Sequence, residues 1–211
     1  PLLGRTEVEE RLGFALGDTT LLITFHPETG RVGTSAQSQM TELLAALEQV
    51  DASLVFTMPN ADIGGRSLFD LIQEFVRQHS PRACQHTSLG QTLYLSVLAL
   101  SAGVVGNSSS GLIEAPAFGV GTVNIGARQD GRLKAASVID CAPNRTRILD
   151  ALGVLLRPET RSRNGKGIQN PYGQGGAAKR TVAVIDAWEP QCGNKRFYDL
   201  NTTSDEVGRV A

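Results

Sequence analysis

Short apolar runs alternate along this chain with stretches whose apolar residues recur every three or four positions. Leu21-Leu22-Ile23-Thr24-Phe25 reads as a strand buried on both faces. From about Ser35 to Val50, Met40, Leu43, Leu44 and Leu47 fall on one helical stripe. Leu54-Val55-Phe56-Thr57-Met58 is the next strand, stopped by Pro59. Leu68, Leu71, Ile72, Phe75 and Val76 mark a helix that opens near Arg66 or Ser67. Residues 83–86 read as a third, short extended piece, and Leu93, Leu95, Val97, Leu98 and Leu100 as a short buried helix. Then follow a strand at 103–105, a helix at 109–118, a strand at 122–125, a weaker strand at 138–140 and a helix at 144–156. A helix-like stretch, 6–12, precedes the series. Residues 157–176 form a polar, Gly-rich connection with Ile168 as an apolar island. A last helix is predicted over 177–189, with Ala178, Val182, Ile185 and Trp188 on overlapping faces. Residues 191–211 are polar, poor in apolar positions and expected to be disordered.

Strands that alternate with helices predict βαβ units, hence an α/β fold with a Rossmann-like parallel sheet of about six strands and helices on both faces. Residues 1–190 are read as one domain and 191–211 as its tail. In such sheets ligands sit beyond the carboxyl ends of the strands. Three polar groups fall there: His26 after the first strand, Asn60 and Asp62 after the second, and 107–110 after the fourth.

The stretch Gly106-Asn107-Ser108-Ser109-Ser110-Gly111-Leu112-Ile113-Glu114 is the most informative of these. A small-residue turn between strand and helix leaves backbone N–H groups at a helix N-terminus. Together with the hydroxyls of Ser108, Ser109 and Ser110 they suit a diphosphate. Glu114, a turn and a half further on, suits the two hydroxyls of a ribose, so the order points to a nucleotide-sugar site. The same residues also suit a plain helix cap. No Lys follows the glycine as in a P-loop, and the Gly spacing is not that of a dinucleotide fingerprint.

His26 precedes Pro27, which ends the strand and holds the imidazole at its carboxyl end. Beside a diphosphate it can neutralise or protonate a leaving group; otherwise it is a loop histidine. Asn60 and Asp62 suit sugar or ribose hydroxyls, and equally an ordinary turn beside Gly64-Gly65. Arg128 suits a phosphate or a solvated charged loop. Tyr94 suits a base or a buried helix face. His79 and His86 have no such setting and read as surface or structural. Without an HxxxH pair, three histidines predict no metal site.

Composition narrows the classes. Of 211 residues 41% are hydrophobic, enough for a core, and the net charge of −1 leaves no nucleic-acid footprint. No apolar run approaches the roughly 20 residues of a membrane span. Cys84, Cys141 and Cys192 are odd in number and lack CxxC spacing. That disfavours disulfides and zinc and favours a reducing, cytoplasmic setting. Three glycosylation triplets, at Asn107, Asn144 and Asn201, read as chance. The chain opens on Pro1, directly into a helix-like stretch, and is expected to start partway through a longer protein.

Several motifs in order resemble one family. They are Thr24-Phe25-His26-Pro27-Glu28-Thr29, Pro59-Asn60-Ala61-Asp62, Ser88-Leu89-Gly90, Gly106 to Pro116, Val123-Asn124-Ile125-Gly126-Ala127-Arg128-Gln129-Asp130-Gly131-Arg132 and Asn170-Pro171-Tyr172-Gly173. Over residues ~5–190 the chain resembles the C-terminal half of UDP-N-acetylglucosamine 2-epimerases, especially the hydrolysing branch of sialic-acid-type biosynthesis. The resemblance implies the UDP-binding half of a two-domain GT-B fold, a UDP-N-acetylhexosamine substrate, and chemistry that begins with anti elimination of UDP to a glycal. It implies no cofactor. It places the principal acid/base carboxylates in an N-terminal domain absent from this sequence. It carries His26 to the diphosphate, Ser108, Ser109 and Ser110 to the diphosphate turn, Glu114 to the ribose and Tyr94 to the neighbourhood of uracil. Gly121 stands where the family more usually has Pro. A GT-B glycosyltransferase half and a non-catalytic nucleotide-binding module are the competing readings. The oligomeric state stays open, a homo-oligomer included, as does the identity of the amino sugar.

Overall fold

A computed structural model describes residues 1–27, 35–59, 65–165, 167–173 and 175–189. In chain order the elements are α1 (Arg5–Leu12), β1 (Thr20–Thr24), α2 (Ala36–Leu47), β2 (Ser53–Thr57), α3 (Gly65–Gln78), β3 (Ala83–His86), α4 (Gly90–Leu100), β4 (Gly103–Gly106), α5 (Ser110–Ile113), a 3₁₀ turn (Ala115–Phe118), β5 (Thr122–Ile125), β6 (Val138–Cys141), α6 (Arg145–Leu155), α7 (Pro158–Gly165) and α8 (Ala177–Asp186).

All six strands are parallel, in the order β3-β2-β1-β4-β5-β6. Every residue of β1, β4 and β5 is buried, because helices cover both faces and leave no polar side. Side-chain alternation divides the core. Leu21, Ile23, Leu54, Phe56, Val105 and Val123 meet α2, α3 and α6 on one face. Leu22, Val55 and Val104 meet α1, α4 and the 3₁₀ turn on the other. The stripe of α2 (Met40, Leu43, Leu44, Leu47) is buried as its spacing predicts, and the Ser35 hydroxyl caps the helix by accepting the Ser38 N–H at 3.1 Å. The edge strands β3 and β6 are only partly buried.

Two segments differ from the sequence reading. The helix expected over 109–118 is broken: α5 is a single turn, and the chain tightens into a 3₁₀ turn at Ala115. Pro116 is the cause, since it has no N–H for the carbonyl four residues back and its ring crowds that carbonyl. The connection at 157–176 contains a helix, α7. Pro158 opens it and Glu159 favours its first turn, but no apolar stripe announces it. In addition, α4 begins three residues before its first periodic leucine, at Gly90.

The chain divides into two compact units, 1–174 and 175–211. The first holds the sheet and its helices. The second holds α8, which starts after Gly176 and carries Val182, Val184, Ile185 and Trp188 as exposed apolar residues. Residues 191–211, expected to be a tail, lie outside the described residues. Among the described residues no helix is long and apolar enough to cross a membrane.

Candidate functional site

The strand order reverses between β1 and β4, the place where parallel sheets of this kind open a crevice at their carboxyl edge. The last register pairs there are Thr24 with Thr57 and Thr24 with Gly106. The two threonine hydroxyls lie 2.5 Å apart, closing the floor between β1 and β2. Gly106 has φ +136°, and a Cβ there would stand 2.0 Å from the Thr24 carbonyl oxygen. The main chain of β4 therefore passes β1 closer than any side chain allows.

Asn107 comes next and is fully buried. Its N–H donates to the Thr24 carbonyl at 3.2 Å. Its side-chain amide makes a two-point clasp on the main chain of His26: Oδ1 accepts the His26 N–H at 2.7 Å and Nδ2 donates to the His26 carbonyl at 2.9 Å. Its own carbonyl accepts from Gln129 Nε2 at 2.7 Å and Arg128 Nη1 at 3.1 Å. Gln129 is itself 1% exposed. The serine turn follows. The Ser108 carbonyl accepts the Gly111 N–H at 3.3 Å, and the Ser109 carbonyl accepts those of Leu112 and Ile113. The Tyr94 hydroxyl donates to Ser110 Oγ at 2.7 Å. Burial pushes the Tyr94 phenol above its usual pKa, the bonds to Ser110 and Thr24 draw it back, and the charge of Glu114 adds to the rise.

A cleft of about 500 Å³ opens beside this hub, on the Tyr94 side. Thr24, His26, Thr57, Tyr94 and Glu114 line it, and the turn 87–91 into α4 forms its far rim. The structure thus brings His26, the serine turn through Tyr94, and Glu114 to one place, although β1 and β4 are separated by three helices and two strands. Arg128 follows β5 and reaches the same hub through Asn107. Asn60 and Asp62 lie outside the described residues. His79 stacks on Phe75 with ring centroids 4.0 Å apart and is structural. His86 ends the edge strand β3, and burial lowers its pKa.

Sequence reasoning assigned no role to three residues that shape the site. Asn107 was visible only as part of its motif. Nothing in local spacing signals that Gln129 reaches back to it. Asn170, 9% exposed, donates from Nδ2 to the Ile113 carbonyl at 2.9 Å and so braces the residue before Glu114. Tyr172 joins the same segment to Leu133, its hydroxyl donating to the carbonyl at 3.0 Å.

A six-stranded parallel sheet in this order, with a polar crevice at its reversal point, defines the Rossmann-like α/β class found in GT-B architectures. Within that class the chain belongs to the UDP-N-acetylglucosamine 2-epimerase family, whose sequence profile matches residues 3–186. It is 36% identical over 143 residues to the GDP/UDP-N,N'-diacetylbacillosamine 2-epimerase (hydrolyzing) of Campylobacter jejuni, covering 67% of this chain and 37% of that protein. It is 32% identical over 203 residues to the polysialic acid biosynthesis protein P7 of Escherichia coli, covering 94% of this chain and 51% of that protein. Among solved structures, the UDP-GlcNAc 2-epimerase of Neisseria meningitidis bound to UDP-GlcNAc superposes with a TM-score of 0.63 at 15% identity, over 86% of this chain and 48% of that one. This last likeness establishes the fold. The chain spans about half the length of its relatives or less, which fits one Rossmann-like half of a GT-B architecture.

Proposed function

We propose that this chain is the UDP-sugar-binding half of a hydrolysing 2-epimerase that acts on a UDP-N-acetylhexosamine. The observation that carries the reading is the convergence of His26, Tyr94 and Glu114 on one cleft, with the serine turn tied to it through the Tyr94–Ser110 hydrogen bond, in a chain of this family. The N–H groups and hydroxyls of residues 108–110 hold the diphosphate. The Glu114 carboxylate accepts from the ribose hydroxyls. The ring of Tyr94 lines the path toward the base while its hydroxyl holds Ser110. Arg128 adds positive charge behind the turn, and Asn60 and Asp62, which lie outside the described residues, are the sequence candidates for the sugar hydroxyls. The two-domain organisation leaves the principal acid and base to a separate half.

The reaction balances as an elimination followed by hydration. A base takes the sugar C2 proton, the C1–oxygen bond breaks, and its electron pair leaves with UDP. Water then adds to the glycal, with the proton returned to C2 on the opposite face, and the free 2-epimeric sugar departs. Negative charge grows on the β-phosphate as UDP leaves, and His26, which lines the cleft, serves as the donor to that oxygen. The hydrolysing outcome and a diacetamido substrate are supported by the name of the Campylobacter relative, and an N-acetyl substrate by that of the family. The scattered cysteines support a cytoplasmic setting.

Calorimetry with UDP tests the site. Loss of a charged acceptor costs about 1.5–3 kcal/mol, so Glu114→Ala should weaken UDP roughly tenfold or more. A folded variant with unchanged UDP affinity removes Glu114 from the site. Joined to its other half, the chain should convert a UDP-N-acetylhexosamine to free 2-epimeric sugar and UDP. Transfer of the sugar to an acceptor would instead mark a glycosyltransferase.

A further inference from the structure

We infer that Asn107 and Gln129 are positioning residues that set how His26 and the serine turn grip one diphosphate together. This rests on the UDP-site reading above.

The parallel ladder between β1 and β4 ends at Thr24 and Gly106. Beyond it the two chains separate, and each carries one half of the site. The Asn107 amide replaces the ladder for one further step. A carboxamide offers one donor and one acceptor on the same plane, so it can satisfy both the N–H and the C=O of His26, as a paired strand residue would. Buried main-chain groups at a strand end need such partners. The clasp thereby fixes where the His26 ring starts from, relative to the turn that follows Asn107.

The main chain of Asn107 performs a second task. Its carbonyl is pulled toward the β5 side by Gln129 Nε2 and Arg128 Nη1. In a trans peptide the C=O of residue 107 and the N–H of residue 108 point in opposite directions. Anchoring that carbonyl therefore aims the Ser108 N–H away from β5 and into the turn. Gln129 is buried and reaches the site by donating to this carbonyl, so its effect on a ligand is indirect.

The two residues thus act on different halves of the grip, and their variants should separate. Asn107→Ser leaves one hydroxyl for two main-chain groups. Gln129→Met keeps the volume and removes the donor. The test is calorimetry of the whole chain with UDP, with NMR of the His26 ring C–H signal at saturating UDP, both well below the melting temperature. Both variants should bind UDP about 5–20-fold more weakly, as expected for a lost or misdirected hydrogen bond. Asn107→Ser should also lose most of the UDP-induced change in the His26 signal, whereas Gln129→Met should keep it. Gln129→Met leaves the strand ladder intact, so it carries the test even if Asn107→Ser fails to fold. If the variants only melt earlier, with native UDP affinity and a native His26 response, the residues are purely structural and the inference falls. If the wild-type chain binds no UDP, or Glu114→Ala and Ser109→Ala leave its affinity unchanged, the nucleotide site itself is wrong and the inference falls with it.

Discussion

Replacing Gly106 with alanine should destabilise the fold and, on the proposed function, remove UDP binding with it. At φ +136° an alanine is held in a region open almost only to glycine, at a cost of about 1–3 kcal/mol. The added Cβ also falls 2.0 Å from the Thr24 carbonyl oxygen, whereas real Cβ atoms essentially never come within 3.0 Å of such a neighbour. The neighbour is main chain in the middle of the sheet, so β1 and β4 must part by about 1 Å, an overpacking worth about 1–3 kcal/mol more. The sum, about 2–6 kcal/mol, is a large share of the roughly 5–15 kcal/mol that holds a domain folded. For a unit of this size it should lower Tm by roughly 5–20 °C. Gly131→Ala is the control: it shares a positive φ, +76°, but has nothing within 4 Å of the new methyl. It should cost only about 1–2 kcal/mol. Thermal melts and UDP calorimetry on both variants give the comparison. If Gly106→Ala melts within a degree or two of wild type and binds UDP normally, the close approach of β4 to β1 is not what shapes the site.

Two further outcomes are expected. On the proposed function, in a protein that joins this chain to a second, catalytic half, His26→Ala should lower kcat at least ~100-fold, and by more than it raises KM, because the proposed donor would serve the departing phosphate; steady-state kinetics with near-normal kcat would reduce His26 to a loop residue. Burial pushes the thiols of Cys84 and Cys141 up to about 12, Asp140 adding to the second. Their folded pKa values thus exceed the unfolded ones, so the unfolded chain releases these protons first. Their contribution is complete below about pH 9 and is lost as pH climbs toward 12. Urea unfolding between pH 8 and 10.5 should show a falling stability that Cys84→Ala/Cys141→Ala makes shallower, and equal slopes would contradict it.

The sheet was legible because strands covered on both faces are written as unbroken apolar runs. Leu21 to Phe25 and Leu54 to Met58 leave little alternative, and each lies within a residue of its observed strand. Helix α7 was not legible, since a short helix without a stripe of apolar residues leaves only a proline and an acid at its start. The break at Pro116 could have been read from the proline, but the apolar residues on either side hid it. In the site, His26 and 108–110 stood out because strand ends in parallel sheets collect ligands. The bonds that join them did not. Asn107 and His26 are 81 positions apart, Gln129 is 22 from Asn107, and Tyr94 is 16 from Ser110. Periodicity speaks of which face a residue takes, and says nothing of which distant main-chain atom its amide will meet.

The central placement of β1 has a consequence for how the chain is made. Its partner β2 follows within about thirty residues, but its other partner, β4, starts at Gly103. A nascent chain that has reached β3 can assemble β1, β2 and β3, yet Leu21, Leu22 and Ile23 then border an unfilled edge of bare N–H and C=O groups. That edge is apolar and suited to pairing with any strand that arrives first. The interval between synthesis of Thr20 and of Gly106 is therefore when this chain is most prone to pair with another copy of itself, and slower translation across it lengthens the exposure.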